Sequence, residues 1–77
     1  MAHFKDGKWT NLQSKTSDDI TISALSGSLH YGLQAFEGLK AYRGADDKVR
    51  LFRPDENAKR MERSAKFIGL EAPPKEM

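Results

Sequence analysis

The chain has 77 residues, with 13 Lys or Arg against 11 Asp or Glu, a net charge of +2 and no cysteine. That length allows one small domain at most, and a domain near 60 residues buries only about 60% of the surface that its unfolded chain exposes; the absence of cysteine excludes disulfides and thiolate metal sites. The interleaved charges form no basic stripe for nucleic acid, no apolar run approaches the roughly 18 residues of a membrane helix, and MAHFKDGKW has no apolar signal core.

The expectation is therefore a cytoplasmic protein without nucleic-acid or membrane partners. No metal is expected either, because His3 and His30 are far apart and lack ligand spacing.

In chain order, HFKDGKW predicts a short hairpin, with Asp6-Gly7 as a two-residue turn. Residues Asn11 to Asp19 are polar and read as loop. Ile20-Thr21-Ile22 is β-rich and predicts a brief strand. Ser23 to Gly32 is rich in small residues and reads as turns. From Ala35 to Tyr42 a strand would place Phe36, Gly38, Lys40 and Tyr42 on one face. Ala35, Glu37, Leu39 and Ala41 would occupy the other. Gly44 to Lys48 has turn chemistry, and Val49, Leu51 and Phe52 suggest a returning strand. Phe36 to Arg53 is thus expected to form a β-hairpin with a loop too long for a tight primed turn.

Pro54 suits the first position of a helix, and Asp55 and Glu56 match the positive end of its dipole. Ala58, Met61, Ala65 and Ile68 recur at helical spacing as one apolar stripe. Gly69 is a natural stop, and Pro73-Pro74 prevents continuation. The helix is expected over about 54–68. The fold class is α+β: an antiparallel sheet of β-hairpins with one main α-helix.

Each residue that stands out has an ordinary reading as well. Tyr31 and Phe36 are aromatics near a Gly-rich bend, and core packing accounts for most such residues. Gly38 inside a strand marks a bulge or the close approach of a ligand or backbone. Lys40, on the same face, is ordinarily a solvated edge lysine. Arg60 belongs to a charged run with Lys59, Glu62 and Arg63 that reads as a solvated helix face. It also borders Met61 at the margin of the apolar stripe, so its head can reach a cleft, and its guanidinium fork suits a phosphate.

LHYGLQAFEGLKAYRG followed by VRLFRPDENAKRMERSA resembles the branched-chain amino acid aminotransferases, fold-type IV enzymes that use pyridoxal phosphate. The likeness runs from about Leu29 to Ala65, and more loosely from Asp6. It implies that residues 1–72 are part of the N-terminal small domain and that 73–77 begin a connector to a large domain not contained in the chain. The implied reaction moves the amino group of Leu, Ile or Val to 2-oxoglutarate, giving branched 2-oxo acids and glutamate. Arg60 then matches the arginine that binds the cofactor phosphate. Tyr31 and Phe36 match walls of the substrate pocket, and Tyr31 reaches across a dimer. Gly38 matches the small residue that lets substrate or cofactor come close, and Lys40 lies near the entrance for the acidic co-substrate.

The lysine that carries the cofactor, and the acidic partner of its ring nitrogen, lie downstream in that family. No catalytic residue is assigned here, and the chain alone is expected to be inert. A D-amino acid aminotransferase or an aminodeoxychorismate lyase is the nearer alternative. A free-standing binding module, supported by a pI near 9.0, is the more distant one. Strand edges and an apolar face left without cover would favour self-association.

Overall fold

The computed structural model describes all 77 residues, Met1–Met77. The chain divides into two units, Met1–Gln34 with Glu76–Met77, and Ala35–Lys75.

In the first unit, β1 (Phe4–Lys5) pairs antiparallel with β2 (Lys8–Trp9). The connecting Asp6 and Gly7 both have positive φ, 53° and 77°, as a primed turn requires. The expected hairpin is present. Phe4 and Trp9 are directly opposed, with ring centroids 5.5 Å apart, a cross-strand aromatic pair of the kind that stabilises short ladders. Beyond the strands, the backbone N–H of Thr10 donates to the His3 carbonyl at 2.7 Å, and the N–H of His3 donates to Thr10 Oγ1 at 2.8 Å. The amino terminus itself donates to the Gln13 carbonyl.

Ile20-Thr21-Ile22 forms no strand. A β-rich tripeptide has no ladder without a partner. Just ahead of it, Ser17 Oγ accepts from the N–H of Asp19 at 3.0 Å, a local bond that competes with extended pairing.

The stretch read as turns from Ser23 to Gly32 contains a five-residue helix, α1 (Gly27–Tyr31). Ser26 caps its start by accepting from the Ser28 N–H, and Gly32 closes it at φ 62°. Small residues thus serve here as caps around one helical turn.

In the second unit, β3 (Ala41–Arg43) pairs antiparallel with β4 (Val49–Leu51), with Ala41 opposite Leu51 and Arg43 opposite Val49. The turn falls at Gly44 to Lys48, as expected. There the N–H of Gly44 donates to the Lys48 carbonyl at 2.8 Å, and Asp47 takes φ 64°.

The ladder is shorter than the Phe36 to Arg53 hairpin that the alternation predicts, and Phe36 to Lys40 are not a strand. The register gives the reason. Continued outward from Ala41 and Leu51, it would set Leu39 opposite Arg53 and Gly38 opposite Pro54. Arg53 has φ 48° and ψ 55°, outside any strand conformation, and Pro54 has no N–H to give.

Helix α2 runs over Pro54–Phe67, one residue short of the expected end. Pro54 stands in its first turn with Asp55 and Glu56, and Lys66 stands in its last. The apolar stripe is confirmed by burial: Ala65 is the one buried hydrophobic residue of the chain, and Ala58, Met61 and Ile68 are half-buried. Gly69 follows at φ 76°. Its N–H donates to the Lys66 carbonyl at 3.2 Å, and the Leu70 N–H donates to the Ala65 carbonyl at 2.9 Å. These two bonds form a Schellman closure, which only a residue tolerant of positive φ completes cheaply. Pro73, Pro74 and Lys75 line a small cleft together with Asp55, Ala58 and Met61 of α2. Lys75 Nζ pairs with Asp55 at 3.1 Å.

Candidate functional site: an arginine-centred cleft

The second unit contains a cleft of about 740 Å³. One wall is the irregular segment Gly38, Leu39 and Lys40, continued by Tyr42 of β3. The other is the first half of α2, contributing Glu56, Asn57 and Arg60, with Phe52 and Arg53 at the turn into the helix. Asn57 and Arg60 are three residues apart, so a helix places both on the same side.

The two walls are joined by Glu37. Arg60 Nε donates to Glu37 Oε1 and Arg60 Nη2 donates to Glu37 Oε2, each at 2.8 Å. Asn57 Nδ2 donates to Glu37 Oε2 and to the Gly38 carbonyl, each at 2.9 Å. This is a two-pronged guanidinium–carboxylate pair, the strongest form of such contacts. The Glu37 side chain is 18% exposed and that of Arg60 51%, so water reaches the pair and screens it. The hydrogen bonds from Arg60 hold the Glu37 carboxyl below the usual carboxylate range, with Asn57 adding to the effect. Reciprocally, Glu37 raises the Arg60 guanidinium, which stays charged throughout the working pH range.

Three cations, Lys40, Arg53 and Arg60, line the cleft against a single lining carboxylate, Glu56. Arg53 Nη2 lies 3.9 Å from Glu56. The balance suits an anionic ligand.

Of the residues expected from sequence, Gly38, Lys40 and Arg60 come together on this cleft. Phe36 does not line it and is 89% exposed. Tyr31 ends α1 in the first unit and is 90% exposed. The shared strand face proposed for Phe36, Gly38 and Lys40 does not exist, since no ladder reaches them. Leu39 and Ala41, placed by the alternation on the opposite face, are exposed. Glu37, from that same alternating set, is the residue that reaches the helix.

Glu37 and Asn57 had no expected role. The available signals were Asn57 at three residues before Arg60, and a carboxylate flanked by Phe36 and Gly38.

Fold and site together define a small α+β chain whose main helix presents an arginine to an open, cationic cleft. The chain is homologous to branched-chain amino acid aminotransferases. It is 47% identical over 77 residues to the branched-chain-amino-acid aminotransferase of Haemophilus influenzae, covering 100% of this chain and 22% of that protein. It is 51% identical over 57 residues to the cytosolic enzyme of Rattus norvegicus, covering 74% of this chain and 14% of the relative. It is 53% identical over 55 residues to branched-chain-amino-acid aminotransferase 6 of Arabidopsis thaliana, covering 71% and 15%. The chain thus spans between 14% and 22% of these relatives' lengths. Other relatives carry mitochondrial and chloroplastic names, so homology alone fixes no compartment. No protein-family model matches the chain. No helix is long and apolar enough to cross a membrane.

Proposed function

We propose that this chain is the N-terminal small-domain part of a branched-chain amino acid aminotransferase. The whole enzyme moves the amino group of Leu, Ile or Val to 2-oxoglutarate, giving branched 2-oxo acids and glutamate. The observation that carries this reading is the 47% identity to the Haemophilus influenzae enzyme across the full chain.

The cofactor of this reading is pyridoxal phosphate. The donor set fits its phosphate: Arg60, Lys40 and Arg53 line one cleft, and Arg60 Nη1 has no protein partner. Arg60 is the residue assigned to hold the phosphate. When bound, the cofactor supplies an electron sink for the substrate's α-carbon.

Around it, Gly38 leaves space, since nothing lies within 4 Å of where its Cβ would stand. Lys40 is assigned to the entrance for the acidic co-substrate. Phe36 and Tyr31 are assigned to the apolar substrate pocket, where about 1–3 kcal/mol per methylene separates one branched side chain from another. Their exposure in this chain is what residues completed by further chain or by a second subunit would show. A homo-oligomer working in the cytoplasm belongs to the same reading. The chain by itself is inert, because none of its lysines stands in the motif that carries the cofactor.

A chimera tests this directly. The 77 residues replace the matching segment of the Haemophilus influenzae aminotransferase, and glutamate is measured with Leu and 2-oxoglutarate. Glutamate formation is expected; a folded chimera that forms none from Leu, Ile or Val overturns the proposal. D-alanine and aminodeoxychorismate in the same panel expose the neighbouring activities of the fold type.

A further inference from the structure

Glu37 is the feature of the cleft that the proposed function leaves without a task. It takes hydrogen bonds from two side chains of α2 across sequence separations of 20 and 23 residues. Seated among irregular residues rather than in a ladder, it is held by those side chains and not by a strand. The contact has a definite orientation. Glu37 occupies the Nε and Nη2 side of the guanidinium, while Nη1 donates no hydrogen bond within the protein.

A guanidinium offers two such edges, and each matches the spacing of two oxygens on a carboxylate or phosphate. With the first edge taken by Glu37, the second is held in a fixed plane. Asn57 fixes the carboxylate in turn, because its amide binds both Glu37 Oε2 and the Gly38 carbonyl.

We propose that Glu37 is a positioning residue for an anion site at Arg60: it grips the guanidinium side-on and so presents the Nη1–Nη2 edge to a phosphate group in the cleft. This rests on the reading of Arg60 as the phosphate-binding residue. An arginine on an exposed helix face samples many rotamers, and a ligand must immobilise it on binding. Glu37 removes that requirement before the ligand arrives. The opposite possibility is competition, in which the carboxylate fills the place of the phosphate and must leave. The two differ in sign.

The test uses the chimera freed of cofactor, inorganic phosphate as probe and the Arg60 Nε–H nitrogen-15 signal as reporter, at constant ionic strength. Glu37→Asp keeps the charge but shortens the side chain by one carbon, so it cannot hold both guanidinium nitrogens in the same way. Phosphate affinity is expected to fall about two- to fivefold, the coupling typical of partly exposed charged groups. The Arg60 Nε–H signal is expected to lose its distinct position.

Asn57→Ala keeps both Glu37 and Arg60 and removes the amide that fixes the carboxylate; it is expected to weaken phosphate by a smaller factor, and unchanged or tighter binding there overturns the positioning role if Glu37→Asp disturbs the fold by circular dichroism. Unchanged affinity in Glu37→Asp overturns the positioning role in favour of no role, and tighter binding in Glu37→Asp overturns it in favour of competition. Failure of the reading beneath it has a different signature. There the Nε–H signal responds to Glu37→Asp, but phosphate moves no Arg60 signal in the chimera without substitution. That result overturns Arg60 as the phosphate holder, and this inference with it.

Discussion

At its C-terminal end α2 closes on a full set of bonds, with Gly69 at φ 76° and the carbonyls of Ala65 and Lys66 both satisfied. At its N-terminal end Arg53 takes φ 48° immediately before a proline and offers no side-chain cap to the helix. A non-glycine residue in the left-handed region costs about 1–2 kcal/mol, and a following proline narrows its choices further. The strained end adjoins the cleft, and the relaxed end adjoins Ala65, the one buried hydrophobic residue. Strain beside a site and stability away from it is a common division in binding proteins. It predicts that substitutions at the two ends fall into separate classes.

The largest expected effect lies on the cleft side. In the chimera, Arg60→Ala should lower pyridoxal phosphate affinity about a hundredfold, the loss expected for a two-pronged charged contact to phosphate. Titration of the cofactor by its absorbance checks this. The unfolding midpoint of the cofactor-free protein should stay close to that of the cofactor-free parent chimera, because Arg60 is half-exposed. If instead the protein unfolds with little change in affinity, the cleft is a structural joint, and the two ends of α2 do not differ in kind.

Next comes the other end. Gly69→Val should destabilise the 77-residue chain by about 1–2 kcal/mol, since a β-branched residue at positive φ is strained. Nothing crowds the site, as no atom lies within 4 Å of the added Cβ, so the cost is conformational. Urea unfolding followed by far-ultraviolet circular dichroism measures it, and phosphate affinity at saturating fold should not move. At the strained end the sign reverses. Arg53→Gly relieves the left-handed backbone but adds freedom to the unfolded chain, leaving a net gain of a few tenths to about 1 kcal/mol. It also removes a cation from the cleft, so phosphate binding should weaken while stability rises.

The same contrast explains what the sequence disclosed. The Asp6-Gly7 turn, the Gly44 to Lys48 turn and both ends of α2 were legible because each depends on residues within a few positions of one another. The extension of the second hairpin was misread because the alternation from Ala35 to Tyr42 is genuine, yet its partner strand is cut off by Arg53 and Pro54. Ile20 to Ile22 had strand propensity and no neighbour to pair with. The Gly27–Tyr31 helix escaped notice because Ser26 and Gly32, which cap it, look like loop residues until the turn between them is known. At the site, Arg60 stood out at the edge of the apolar stripe, where its ordinary reading is a solvated helix face, and its assignment to the phosphate came from the family resemblance. Its partner Glu37 did not stand out, because the contact spans 23 residues and no local pattern announces it.

The smallest effect is the dependence of the Glu37–Arg60 pair on pH. The Glu37 carboxyl is held below its ordinary value, chiefly by the hydrogen bonds from Arg60. A group lowered in this way contributes its stability fully above the unfolded value, about 4.3 for Glu. The contribution is lost as pH falls through the lowered folded value. The pair should therefore be intact at neutral pH and on down through the ordinary carboxylate range, and open only in more acid solution. Arg60 stays charged across that window, so only Glu37 titrates in the pair. The Arg60 Nε–H signal should follow the same curve, and Glu37→Gln should flatten it. Asp46 is also lowered, by Arg50 and by the Lys48 backbone N–H, but it serves only the turn of the second hairpin. Asp46→Asn should consequently leave the Arg60 curve unchanged. A shift as large as that from Glu37→Gln would mean that hairpin and cleft titrate as one network, and the pair would lose its special standing in the site.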